Sequence, residues 1–190
     1  MERKIKLNRK TSETEIDIEL NLDGTGKSEI LTDFKFFNHI LNVFAKHAHV
    51  NLKIIAKGDL QHHILEDIGI LLGECFNKAI GNKRGIKRYG WSLIPMDDAL
   101  VMSAVDISGR FYTNIDFNTK EVMIEDTKIA NIYHFLNSFS ENAKINLHLK
   151  VLYGKDPHHK LEAAFKSLAF SMRDAKKVVS NEIPSTKGIL

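Results

Sequence analysis

Half of this chain is written twice. His39-Ile40-Leu41-Asn42-Val43-Phe44 reads H-x-L-N-x-F, and His134-Phe135-Leu136-Asn137-Ser138-Phe139 reads the same 95 residues later. His62-His63-Ile64-Leu65-Glu66 reads H-H-x-x-E, and His158-His159-Lys160-Leu161-Glu162 repeats it at a distance of 96. Two different motifs in one order, at nearly one offset and about half of 190 residues apart, mark an internal duplication. The fold must be one that half the chain can make and a second copy can complete. Residues 1–90 are expected to form the first half and residues 91–190 the second.

The elements around the motifs agree with each other. Each H-x-L-N-x-F segment is followed by a strand-like run, Asn51 to Ala56 or Ile145 to Val151, and then by a turn at Gly58-Asp59 or Gly154-Lys155-Asp156. Each H-H-x-x-E opens a helical pattern: Leu65, Ile68, Leu72 and Phe76 in the first half, Leu161, Phe165, Leu168 and Met172 in the second. Ile16 to Leu22 alternates apolar and polar as a half-buried strand does, and Ala99 to Ile107 and Phe111 to Phe117 read as strands broken at Ser108-Gly109. Each half is thus strands plus two helices. The fold class is α+β, with tandem duplicated βαβ-type halves and helices on one face of each sheet.

Composition narrows the function. With 43% hydrophobic and 27% charged residues the chain is globular, and disordered, collagen-like and coiled-coil classes are set aside. No apolar run approaches the ~18 residues of a membrane span, and Met1-Glu2-Arg3-Lys4-Ile5-Lys6 leads into polar residues rather than a signal sequence. The single Cys75 forbids an internal disulfide and fits a reducing, cytoplasmic compartment. A net charge of +3 is too balanced to indicate nucleic acid.

The chemistry sits in the repeated motifs. On a helix the first His and the Glu of H-H-x-x-E are four apart and the second His and the Glu three apart, so each pair shares a face. The two adjacent His diverge by ~100° and suit two ions better than one. Imidazole plus carboxylate without thiolate leaves Mn, Fe, Ni and Zn open. The duplicated set His39, His62, His63, Glu66, His134, His158, His159 and Glu162 supplies eight potential ligands. A single H-H-x-x-E would more often be incidental; its duplication, with a partner His 23 or 24 residues upstream, argues for metal. His47 is a candidate substrate contact, His148 reads as structural, and Cys75 lies on an apolar helical stripe as a bland buried thiol. Arg84, Lys87 and Arg88, then Arg110, Lys166 and Lys187, form a second theme. Singly these are surface charges, but near metal helices they suit a phosphorylated substrate.

The sequence resembles the imidazoleglycerol-phosphate dehydratase family of histidine biosynthesis over nearly its whole length. The resemblance rests on Arg9-Lys10-Thr11-Ser12-Glu13-Thr14, Phe36-Phe37-Asn38-His39, the two His-His-x-x-Glu segments, Lys83 to Gly90, Pro95-Met96-Asp97-Asp98, Asp106 to Arg110 and Ser185-Thr186-Lys187-Gly188. It implies tandem units like the second domain of a small-subunit ribosomal protein, assembled into 24 subunits from trimers with active sites between subunits. It also implies two Mn2+ per site on the eight residues already isolated. Phosphate contacts carry over to Arg88, Arg110, Lys166, Ser185 and Lys187. Glu13 reaches the substrate, with His47 and Asp97 as lesser contacts. The implied reaction dehydrates D-erythro-imidazole glycerol phosphate to imidazole acetol phosphate through a metal-bridged imidazolate and a diazafulvene-like intermediate. Glu13 is the first candidate for proton transfer, with Glu66 or Glu162 behind it. Only Leu60-Gln61 separate Asp59 from His62, where the family has a longer segment with paired Asp; this predicts fewer carboxylates to orient the metal histidines. A hydrolase of a small phosphate ester and a non-catalytic metal-stapled assembly are the alternatives.

Overall fold

The computed structural model describes residues 3–190. The first half runs β1 (Lys4–Lys10), β2 (Thr14–Asn21), β3 (Ser28–Leu31), α1 (Lys35–Ala48), β4 (Asn51–Gly58) and α2 (Gln61–Ile80). The second runs β5 (Tyr89–Met96), β6 (Ala99–Asp106), β7 (Tyr112–Asp116), a short hairpin of β8 (Met123–Ile124) and β9 (Thr127–Lys128), then α3 (Ile129–Ala143), β10 (Asn146–Tyr153) and α4 (Pro157–Ala175). The sheet orders are β1-β2-β4-β3 and β5-β6-β10-β7. In each, an antiparallel trio is closed by one parallel edge strand, β3 on β4 or β7 on β10. The duplication in the sequence is therefore a duplication of topology.

The alternation in β2 decides which way the first sheet faces. Ile16, Ile18 and Leu20 are buried beneath the helices, while Asp17 and Glu19 point away. β6 repeats this with Val101 and Val105. Helices α1 and α2 pack on the first sheet and α4 on the second, and the helices then pack on one another, α2 on α3 and α1 on α4. The core between the layers continues through both halves. Even the helix ends correspond: α1 and α3 both stop at a non-glycine residue in the left-handed region, His49 and Lys144.

Two contacts are unusually close. A Cβ at Gly69 or Gly73 of α2 would lie 2.6 or 2.5 Å from the backbone oxygen of Phe135 or Phe139 in α3, so only hydrogen lets the helices meet. On the other side α4 lies directly on β5, where Gly90 faces the backbone oxygen of Ser171. A cluster of four hydroxyls, Ser92, Ser103, Ser167 and Ser171, fills that seam, and its members bond one another at 2.5–3.3 Å. Each buried hydroxyl therefore finds a partner inside the interface.

The edge strands β1 and β5 escape the sequence pattern. β1 buries only Ile5 and Leu7, and both partly. β5 contains Gly90 and Pro95, which read as breakers and are tolerated because β5 is an edge. The β8–β9 hairpin has no equivalent in the first half, where Leu31 is joined to α1 by three residues. That insertion bears directly on the site. No helix among the described residues is long and apolar enough to cross a membrane.

Candidate functional site

The packing of α1 on α4 brings a histidine from one half to the repeated motif of the other. His39 Nε2 lies 2.9 Å from Glu162 Oε2, and His158 Nε2 lies 3.4 Å from the same oxygen, one helical turn away. One donor atom from each of these three residues falls within 4.8 Å of the others. Lys166, a further turn along α4, bonds Glu162 Oε1 at 2.8 Å. Burial opposes ionisation of Glu162, but the His39 and Lys166 hydrogen bonds and their charge outweigh it and hold the carboxyl down at about 2. A groove of about 620 Å³ opens beside this cluster, lined by Lys35, Phe36, His39, Glu125, Asp126, His158 and Glu162.

The packing of α2 on α3 brings the counterpart residues of the exchanged halves near one another, less closely. His62 Nε2 is 3.3 Å from Glu66 Oε2, and the His134 ring meets the His62 ring edge-on with centroids 4.6 Å apart. This cluster is more open: the Glu66 side chain is 40% exposed and that of Glu162 11%.

The second histidine of each pair turns away from its neighbour, with ring centroids 5.8 Å apart for His62 and His63 and 6.2 Å for His158 and His159. His63 Nδ1 bonds Asp59 Oδ1 at 2.8 Å and lies 3.7 Å from Glu13 Oε2. His159 Nδ1 bonds Asp98 Oδ1 at 2.7 Å, and its Nε2 is 3.4 Å from Asp97. These aspartate bonds raise both imidazoles above their usual value against the pull of desolvation, and the His159 bond holds Asp98 well below the usual carboxylate range. The short segment before His62 still leaves one carboxylate for that pair. Asp59, at the end of β4, orients His63 because α2 begins only two residues later. Among the described residues one three-residue group converges, His39 with His158 and Glu162; His62, Glu66 and His134 form a looser set, and His63 and His159 lie apart, so one chain does not gather all eight residues at one point.

Glu13 stands on a tight turn. Thr11 Oγ1 accepts the backbone N–H groups of Glu13 and Thr14, and Asp67 of α2 grips the turn's flanks, accepting from Arg9 Nε at 2.9 Å and Thr14 Oγ1 at 2.5 Å. His47 is set lower on α1, stacked on Phe170 of α4 with centroids 5.6 Å apart. His148 points to solvent beside Tyr112. Cys75 is fully buried.

The basic residues do not converge within one chain. Lys166 belongs to the Glu162 cluster. Arg88 forms a two-pronged ion pair with Asp106 at 2.7 and 3.1 Å and donates to the Pro184 carbonyl, while its own backbone N–H bonds Ala175 at the far end of α4. Ser185 and Lys187 follow Pro184 in the same tail, and Leu190 lies against Gly109, next to Arg110. Glu162 and Ala175 are 13 residues apart, or about 20 Å along the helix axis.

Sequence reasoning missed Asp59, Asp67, Glu125, Asp126, Gln61 and Asn131. Glu125 Oε1 lies 3.3 Å from His158 Nδ1, and the Asp126 carboxylate caps α1 by accepting from Lys35 and Phe36 N–H groups. Both come from the β8–β9 hairpin, which no motif announced. The His39, His158 and Glu162 group fits a divalent first-row metal: nitrogen and carboxylate donors converge, no thiolate is near, and the Nδ1 of His158 already faces Glu125.

The chain is similar to proteins of one family. The profile of the imidazoleglycerol-phosphate dehydratase family matches residues 32–172. A protein of that name from Chloroherpeton thalassium is 46% identical over 191 residues, covering 99% of this chain and 98% of the relative. One from Clostridium botulinum is 48% identical over 190 residues, covering 97% of each. The crystal structure of the Pyrococcus furiosus dehydratase in complex with (S)-C348 superposes with a TM-score of 0.85 at 38% identity, over 97% of this chain and 100% of that one. The Staphylococcus aureus dehydratase structure gives 0.84 at 30% identity, over 93% and 99%.

Proposed function

The chain belongs to the imidazoleglycerol-phosphate dehydratase family, and from that membership we propose that it dehydrates D-erythro-imidazole glycerol phosphate to imidazole acetol phosphate in histidine biosynthesis. The observation that carries the reading is the convergence of His39 with His158 and Glu162, with its looser counterpart of His134, His62 and Glu66 across the other helix pair. With the outlying His63 and His159 they supply the nitrogen and carboxylate donors for two Mn2+ per active site. Bound there, manganese would act as a Lewis acid toward the substrate's imidazole ring and make its N–H more acidic.

The protein's own residues do the rest. The hydroxyl beside the ring leaves, the neighbouring C–H gives up its proton, and the enol so formed becomes the ketone; the net product is one water. Glu13 is the proton acceptor in this reading. Its carboxylate lies outside the Glu66 and Glu162 groups, is half exposed, and stands 3.7 Å from His63, on a turn that Asp67 fixes. Glu66 and Glu162 are weaker bases because they serve as ligands. Arg88, Arg110, Ser185 and Lys187, with Lys166 beside the cluster, clamp the phosphate and so orient the leaving group, while His47 and Asp97 are lesser contacts.

Glu162 and Ala175, whose carbonyl accepts the Arg88 backbone N–H, lie about 20 Å apart along α4. That separation supports a site completed by neighbouring chains, in an assembly of 24 subunits built from trimers. A cytoplasmic location, a small-molecule substrate and no nucleic-acid or membrane partner go with the same reading.

The test is turnover by metal-stripped protein with and without Mn2+, following imidazole acetol phosphate and inorganic phosphate together. Mn-dependent keto product with phosphate retained is the expected result. Release of inorganic phosphate instead would replace the dehydratase with a phosphohydrolase. Glu13→Gln is expected to abolish turnover while assembly and Mn2+ content persist; unaltered turnover would remove Glu13 from the chemistry.

A further inference from the structure

Every histidine of the two pairs has its Nδ1 against an oxygen: His63 on Asp59 at 2.8 Å, His159 on Asp98 at 2.7 Å, His158 on Glu125 at 3.3 Å and His62 on Asn131 at 3.4 Å. Three of these oxygens belong to carboxylates, which can only accept when ionised. His62 alone faces an amide. An amide can present either end, and if Asn131 turned its NH2 toward the ring, the imidazole proton would be driven to Nε2, the nitrogen 3.3 Å from Glu66.

Asn131 is prevented from turning by a chain of hydrogen bonds whose polarity has one solution. Gln61 contacts two backbone groups, the N–H of Lys128 at 3.0 Å and the carbonyl of Asp126 at 2.8 Å. A backbone N–H can only donate and a carbonyl can only accept, so the Gln61 oxygen faces Lys128 and its nitrogen faces Asp126. The same oxygen is 2.9 Å from the Asn131 side chain, which must therefore present its nitrogen to Gln61 and its oxygen to His62. Asn131 is buried, 6% exposed, so water does not compete for either end. We propose that Gln61 and Asn131 are positioning residues that fix His62 as the tautomer with its proton on Nδ1, leaving the Nε2 lone pair for the cluster with Glu66 and His134.

The relay belongs to one cluster only. The residue 96 positions after Gln61 is Pro157, which has no side-chain amide, and His158 is held directly by Glu125. The two clusters are thus topological copies with different supports, and one serves as the internal control for the other. The proposal rests on the metal-binding reading above.

The experiment titrates Mn2+ alone into the metal-stripped, full-length assembled protein and follows free Mn2+ by its electron paramagnetic resonance signal. Wild type is expected to bind two ions per chain. Asn131→Leu, nearly the same size, is expected to weaken one ion by about 10- to 100-fold and leave the other unchanged. Gln61→Leu, one bond further out and less buried, is expected to weaken the same ion by a smaller factor, and it decides the matter alone if Asn131→Leu does not fold. Two ions bound by wild type and unchanged in both variants would overturn the relay and leave the metal reading standing. Equal weakening of both ions, with a lower melting midpoint, would mean a general structural role and also overturn it. A wild type that binds no Mn2+ would overturn the metal reading itself, and the relay with it.

Discussion

His39 Nε2 and Glu162 Oε2 stand 2.9 Å apart although 123 residues separate them along the chain. The pair exists because α1 of the first half packs on α4 of the second, and α3 on α2 in return. Neither half holds a three-residue cluster by itself. Coupling between the halves is built into the chemistry as well as into the core.

Glu162→Gln keeps the shape of that contact and removes its charge. With the native carboxyl held down at about 2, the charge is present at neutral pH, and Lys166 and His39 are both arranged around it. The variant is expected to lose about 100-fold or more in affinity for one Mn2+ per chain and to lose turnover with it. Calorimetric titration with Mn2+ measures this; an affinity within twofold of wild type would take Glu162 out of the ligand set.

Gly73→Ala should destabilise the α2–α3 seam. On an open helix surface alanine would gain up to ~1 kcal/mol over glycine, but here its Cβ would meet the Phe139 carbonyl oxygen at 2.5 Å. Overpacking is expected to win, at about 1–3 kcal/mol. A urea midpoint that rises instead would show that the helices can separate without cost.

Lys176 gives stability a pH dependence of its own. The residue is 6% exposed, its amine bonds the Leu22 carbonyl, and burial lowers its pKa from 10.5 to about 8. Between those values the unfolded chain binds the proton and the folded chain does not, so this group adds stability as pH rises from about 8 to about 10.5. The contribution is about 2 kcal/mol between pH 8 and pH 10. Lys176→Met is expected to lose that slope relative to wild type when urea midpoints are compared at the two pH values. Parallel pH profiles for the two proteins would refute it.

Cys75 is expected to be silent. Burial pushes its thiol up to about 12, so at pH 8 almost no thiolate exists in the folded protein. Ellman's reagent should label it only after denaturation. Prompt labelling of the native protein would mean that α2 opens.

Much of this architecture could be read from the chain. Strands with a clean period of two, such as β2, and helices opened by the repeated motifs declared themselves because burial on one face leaves a periodic trace. The eight histidines and glutamates stood out as candidates because a duplicated motif is hard to produce by accident. Asp59, Asp98, Asn131 and Gln61 left no such trace. Their roles depend on which strands and helices become neighbours, and a single Asp before a turn looks like any other turn residue. The Asp126 cap on α1 illustrates the limit best: it lies 91 residues from the helix it caps, on a hairpin that interrupts the repeat. Tertiary proximity of that kind has no periodic signature.

The exchange of helices between the halves also bears on how such a chain could arise. Each half carries a histidine of the His39 kind and a motif of the His62-to-Glu66 kind, and each cluster takes one from either side. Two copies of a half-length ancestor, docked as the halves dock now, would already hold both clusters in full. Joining the two genes end to end would then have left the donors where they were, and freed each copy to diverge: one to gain a hairpin bearing Glu125, the other to rely on Gln61 and its borrowed asparagine.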